Sequence, residues 1–143
     1  MAQVDFYVLR SDRAGGAGNV ACKVVEKAWQ QGLRVYVHTA SEGEAMRLDE
    51  LLWTFRQDSF VPHALATASG AEHEAVVIGC DLAAGRGRQV LVNLCATLPA
   101  DTGGFERIAE VVGNDEESRG AARARYLAYR RIGHQLKHHD LQQ

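Results

Sequence analysis

The chain predicts an α/β fold with a mostly parallel, mixed sheet flanked by helices. Three observations carry this. Runs rich in Val, Tyr, Phe and Ile alternate with stretches of helical period, so strand and helix units follow one another. The 143 residues suit one domain, and no repeat or linker divides them. The chain is 46% hydrophobic with only two prolines, enough to bury a core.

Taken in order, Val4–Leu9 is the first strand. A polar, Gly-rich segment, Ser11–Gly18, leads to a helix from Asn19 to Gln31. Asn19 is its N-cap and Gly32 its stop. Leu33–Thr39 is the second strand. Ser41 with Glu44 forms a capping box for the next helix, which carries Leu48, Leu51, Leu52 and Phe55 at helical spacing. Two strand–helix units in succession imply parallel strands. Glu74–Cys80 and Val90–Leu94 are the next strands. The link between them is too short for a crossover helix, which predicts an antiparallel pair. Pro99–Gly104 turns into a last strand, Ile108–Val112. Asp115 opens the final helix, which ends at Ile132 before Gly133. The domain thus spans 1–133, and 134–143 reads as a polar, flexible tail.

Composition excludes several classes. A net charge of −2 argues against coating nucleic acid. Cys22, Cys80 and Cys95 are an odd, widely spaced set, read as reduced core thiols. No run of about 18 apolar residues suggests a membrane span, and no signal pattern opens the chain, so a cytoplasmic location is expected.

Catalytic motifs such as G-x-S-x-G, a P-loop, HExxH or paired CxxC are missing. Gly16-Ala17-Gly18-Asn19-Val20-Ala21 matches a dinucleotide fingerprint, but it lies well past Leu9. The second strand also ends Val37-His38-Thr39, without the acid that would hold a ribose. A nucleotide-binding enzyme built on this loop is the rival reading; the plain one is a flexible loop of small residues. Asp49 and Glu50 read as a solvated face. His134 and His138 are two aligned ligands at most, too few for a metal site. His63 braces its own loop.

Two stretches stand out. Trp53 lies off the apolar stripe of its helix, and Phe60-Val61-Pro62-His63 follows on a loop. This is either a docking surface or a plug over the end of the sheet. In the final helix Ala121, Ala124, Ala128 and Ile132 share one face, read as the core face. Arg119, Arg123, Tyr126 and Arg130 share the opposite face, with no acid among them. Arginine forks beside a phenol suit a short acidic peptide with its own terminal carboxylate.

RLDELLW followed by SFVPH, with VDFYVL near the start and ARARYLAYRRIG near the end, resembles the chi subunit of bacterial DNA polymerase III holoenzyme. The resemblance spans nearly the whole chain. It implies a three-layer Rossmann-like fold and a non-catalytic role within a DNA-directed DNA polymerase complex, with no cofactor or metal. It implies two partners. The psi subunit of the clamp loader would dock on Trp53 and Phe60, with Val61 and Pro62 beside them. The acidic C-terminal tail of single-stranded DNA-binding protein, which ends in Phe, would meet Arg123 and Tyr126, with Arg119 as a further basic position and Arg130 on the same stripe. Where a relative has Lys after that tyrosine, this chain has Leu127. The resemblance also implies an XPD-like repair helicase as an alternative partner on the psi surface, and DNA met only indirectly.

Overall fold

The computed structural model describes residues 2–10, 16–102 and 104–141. The elements are β1 (Gln3–Leu9), α1 (Gly16–Gln30), β2 (Val35–His38), α2 (Glu42–Thr54), β3 (His63–Leu65), β4 (Val76–Gly79), β5 (Val90–Asn93), β6 (Arg107–Val112), α3 (Glu116–Ile132) and β7 (Gln135–Leu141). The strands form one sheet in the order β3-β4-β2-β5-β6-β1-β7. Among the described residues every neighbouring pair is parallel. Helices α1 and α2 pack on one face, over Val35, Val37, Ile78, Val92 and Val111. Helix α3 packs on the other, with Tyr36, Val77, Leu91 and Ile108. The three layers agree with the α/β expectation.

The sheet is not mixed. β4 and β5 are not neighbours, because β2 lies between them. Each is 4 residues long, about 13 Å. The segment 80–89 can therefore return along the sheet with only a 3-10 turn, Leu82–Gly85, where a longer strand would need a helix. Buried Arg88 fastens this crossover by donating to the carbonyls of Ala75 (2.9 Å) and Val35 (3.4 Å).

The tail is also corrected: over 135–141 it is strand β7, paired in parallel with β1 from Gln3↔Gln135 to Leu9↔Leu141. Its polarity reflects an edge position and not disorder. Helix α1 starts earlier than expected, so Gly16–Asn19 lie inside it; residues 11–15 of the Gly-rich segment fall outside the described residues. The capping box at Ser41 forms: Ser41 Oγ accepts from Glu44 N at 3.2 Å, while Glu44 reaches back to Ala40 N at 3.1 Å.

Helix α3 is turned from the expected orientation. Its buried residues are Ala122, Arg125 and Tyr129, while Ala124 and Ile132 are exposed. The shift is one residue at each position, about 100° of helix rotation. The cause is Glu110 on β6, which is fully buried. Its carboxylate accepts from Arg125 Nε (3.0 Å), Tyr129 Oη (2.6 Å) and Asn93 Nδ2 (2.9 and 3.0 Å). Arg125 Nη1 also donates to Ala96 O at 2.6 Å. Burial pushes the Glu110 carboxyl up, and the Arg125 charge and the hydrogen bonds from Tyr129, Asn93 and Arg125 oppose it. Burial, then the Glu110 charge, pushes the Tyr129 phenol up.

Removing one member of such a pair leaves the other charge buried and alone. Arg125→Ala is expected to lower unfolding free energy by about 3–5 kcal/mol in denaturant titration. Adding Glu110→Gln should restore part of it; a loss under about 1 kcal/mol would mean that the cluster does not hold α3.

Candidate functional site

The rotation of α3 decides where its arginines go. With Ala122, Arg125 and Tyr129 inward, the stripe Arg119–Arg123–Tyr126–Arg130 lies on the shoulder of the helix, not on its far side. There Arg119, Arg123 and Tyr126 face β1 and the edge strand β7 across a groove of about 510 Å³. Strand alternation supplies the floor. Phe6 and Val8 of β1 project into it with Val112 of β6, beside Ala122 and Leu127 of α3. Tyr126 packs on Phe6 with ring centroids 5.5 Å apart. Arg130 is exposed and outside this lining.

The groove is cationic at its rim. Arg119 donates from Nη2 to Leu9 O (3.1 Å) and to Asn114 Oδ1 (3.3 Å), while its buried Nε has no partner among the described residues. Arg123 meets Glu116 at 3.4 Å, but both side chains are largely exposed, and such a pair is worth little. Arg10 is a further cation, bonded to Asp140 of β7 at 2.5 Å, with His138 Nε2 3.2 Å from the same carboxylate. The hydrogen bond from Arg10 holds the Asp140 carboxyl below its ordinary range. The expectation of a stripe without acids therefore fails at Glu116, which pairs with Arg123; Asp140 lies in the same groove but pairs with Arg10. Sequence reading missed Phe6, Val8, Arg10, His138 and Asp140. In the sequence the first two belong to an apolar strand run, and the last two to a polar stretch that reads as a tail.

The second surface lies at the far end of the sheet, where α2 packs on β3 and β4. Trp53 is 51% exposed and Phe60 66% exposed, with their rings 5.5 Å apart. Val61 departs from the expectation: it is buried in the core beneath α1 and α2, while Pro62 is half-buried. The stretch is thus both things at once, plugged by Val61 and outward-facing at Trp53 and Phe60. The His63 side chain is fully buried against Trp53 at 4.5 Å. Its Nδ1 lies 2.7 Å from Val61 O and its Nε2 3.0 Å from Asp49 O, so it braces the loop onto α2. Glu26 of α1 takes Arg56 (2.6 Å) and Ser59 from the same loop. Met46, 57% exposed and seven residues before Trp53, lies on the same helix face and extends the apolar surface, outside the motifs of the sequence.

The remaining candidates come apart. Gly16–Ala21 forms the first turns of α1 and not a loop. At Gly18 a Cβ would meet Leu51 Cδ2 of α2 at 3.0 Å, so that glycine serves close helix packing. His134 accepts from Ala2 N (3.0 Å) and pairs with Thr102 Oγ1 (3.3 Å), apart from His138 in the groove. Cys22 and Cys95 are buried as expected, but Cys80 is exposed. Burial pushes the Cys22 thiol up to about 12. No described helix is long and apolar enough to cross a membrane.

Comparison with known proteins adds the family. The family model described as DNA polymerase III chi subunit, HolC, matches residues 1–137. DNA polymerase III subunit chi of Pseudomonas aeruginosa is 39% identical over 141 residues, covering 99% of this chain and 98% of that protein. The protein of the same name from Escherichia coli is 29% identical over 141 residues, covering 95% and 96%. That of Haemophilus influenzae is 30% identical over 134 residues, covering 92% of each. This chain belongs to the DNA polymerase III chi subunit family, and so to the components of a DNA replication complex.

Proposed function

We propose that the chain is a non-catalytic adaptor with two separate protein contacts. One is to the psi subunit of the clamp loader, through Trp53 and Phe60. The other is to the acidic C-terminal tail of single-stranded DNA-binding protein, through Arg119, Arg123 and Tyr126. The observation that carries the reading is the groove beside α3. Its apolar floor of Phe6, Val8 and Val112 suits a terminal aromatic side chain, and its rim of Arg10, Arg119 and Arg123 suits the carboxylate of that residue and the acids before it. Leu127, 51% exposed, widens the floor and brings no charge. Arg130, outside the lining, contributes only at long range.

The Trp53–Phe60 pair supports the psi contact because exposed aromatics next to each other desolvate well against a partner's apolar groove. An XPD-like repair helicase would compete for the same patch. Two contacts on one small scaffold raise each other's occupancy through effective concentration. This reading keeps the chain in the cytoplasm, alongside the replication complex.

Arg123→Ala is expected to weaken binding of an acidic peptide ending in Phe by about 1.5–3 kcal/mol in calorimetry. The wild-type affinity should fall with salt; unchanged affinity in either series contradicts the arginine rim. At the other surface, Phe60→Ala should leave thermal stability within about 0.5 kcal/mol while abolishing co-purification with psi. Val61→Ala should instead lower stability by about 1–3 kcal/mol. If Phe60→Ala unfolds the chain, that aromatic is a plug and not an anchor.

A further inference from the structure

Strands β1 and β7 have two faces, and the α3 groove uses only one. On the other face a second depression, about 410 Å³, lies between α1 and the same two strands. Lys23 and Lys27, four apart, stand on one side of α1 above it. Arg107 enters from the start of β6 and Lys137 from β7. All four are exposed. Among the described residues no carboxylate lies within 4.0 Å of any of them. Arg107 donates to the neutral amide oxygen of Gln31, at 3.3 Å.

The lining holds one carboxylate, Asp5, and it is occupied. It accepts from Gln3 Nε2 at 3.1 Å and lies 3.0 Å from His139 Nε2. Four cations against one engaged acid leave a local excess of positive charge on a chain whose net charge is −2. The floor also carries a flat pair: Tyr7 and His139 stack at 4.9 Å with 13° between ring planes, and the imidazole side chain is 41% exposed.

We infer that this groove binds the phosphodiester backbone of single-stranded nucleic acid. Lys23, Lys27, Arg107 and Lys137 neutralise phosphates, and the Tyr7–His139 pair offers an aromatic surface to a base. Lysine is a hydrated point charge that satisfies phosphate without demanding one geometry, and three of the four cations are lysines. Charged grooves beside aromatic rings are the ordinary device for single strands. A chi-family chain belongs to a DNA replication complex. An acidic protein segment would match the charge but would leave the stacked pair without a role. The inference departs from the expectation of indirect DNA contact only, and it is independent of the α3 groove.

The test is fluorescence anisotropy of a labelled oligothymidylate with the full chain, from low to moderate salt. Binding should weaken with salt at a log–log slope of about 0.7 per phosphate contacted, so about 3 for four contacts. The double variant Lys23→Ala/Lys27→Ala should bind roughly tenfold more weakly and lose about 1.4 of that slope. Lys137→Ala, on a different element, should lose about 0.7. Arg86→Ala, which removes an exposed charge outside the groove, should change neither. The inference is overturned by no binding at low salt, or by equal affinity in all four proteins. It is equally overturned if polyglutamate of matched charge competes as well as the oligonucleotide, since that assigns the groove to an acidic protein segment.

Discussion

The buried carboxylate of Glu110 is the constraint on which the rest depends. A charge with no exposure must be met on every side, and here donors converge from α3 (Arg125, Tyr129) and β5 (Asn93). Helix α3 is otherwise rich in alanine, and Ala121, Ala122, Ala124 and Ala128 are alike in size and polarity. Such a helix could rest on the sheet in more than one rotation with little difference in packing. Only one rotation brings Arg125 and Tyr129 to Glu110. The pair adds less to net stability than its Coulomb attraction suggests, because both groups are desolvated; its clearer effect is to choose one arrangement over its neighbours.

That choice produces the functional surface. One residue of rotation moves Arg119, Arg123 and Tyr126 from the far side of the helix to its shoulder, against β1 and β7. The period of two along those strands then divides their side chains. Phe6, Val8, His138 and Asp140 go to the α3 groove, while Asp5, Tyr7, Lys137 and His139 go to the face beside α1. Trp53 and Phe60 sit at the opposite edge of the sheet, on α2 and the loop into β3. Three chemically distinct patches therefore share one scaffold without overlap: apolar, arginine-rimmed and lysine-lined.

Much of this was legible in the sequence. Apolar runs marked five of the seven strands, and the capping box at Ser41, Asp115 as N-cap and Gly133 at φ 105° marked helix ends. The exposed pair Trp53–Phe60 could be found because Trp53 broke its helix's stripe. What could not be read has physical causes. His63–Leu65 is a strand of 3 residues, too short for a period. The strand β7 reads QLKHHDL because an edge strand between two open grooves buries little on either face. The parallel relation of β4 and β5 depends on β2 inserting between them, a long-range fact that no local pattern carries. The rotation of α3 is hidden in the sequence because alanines look apolar and Arg125 looks solvated; its partner Glu110, in the middle of an apolar strand, is the signal of a buried charge.

The most direct measurement is an NMR titration of the isotope-labelled chain with an acidic peptide ending in Phe, mapped residue by residue. Shift changes are expected only on the α3 shoulder and the strand side chains below it, at Phe6, Val8, Arg119, Arg123 and Leu127, with the signals of Trp53, Phe60, Lys23 and Lys27 unmoved. Changes centred on the exposed indole, or spread along the opposite side of α3 around Ala124 and Ala128, would contradict this.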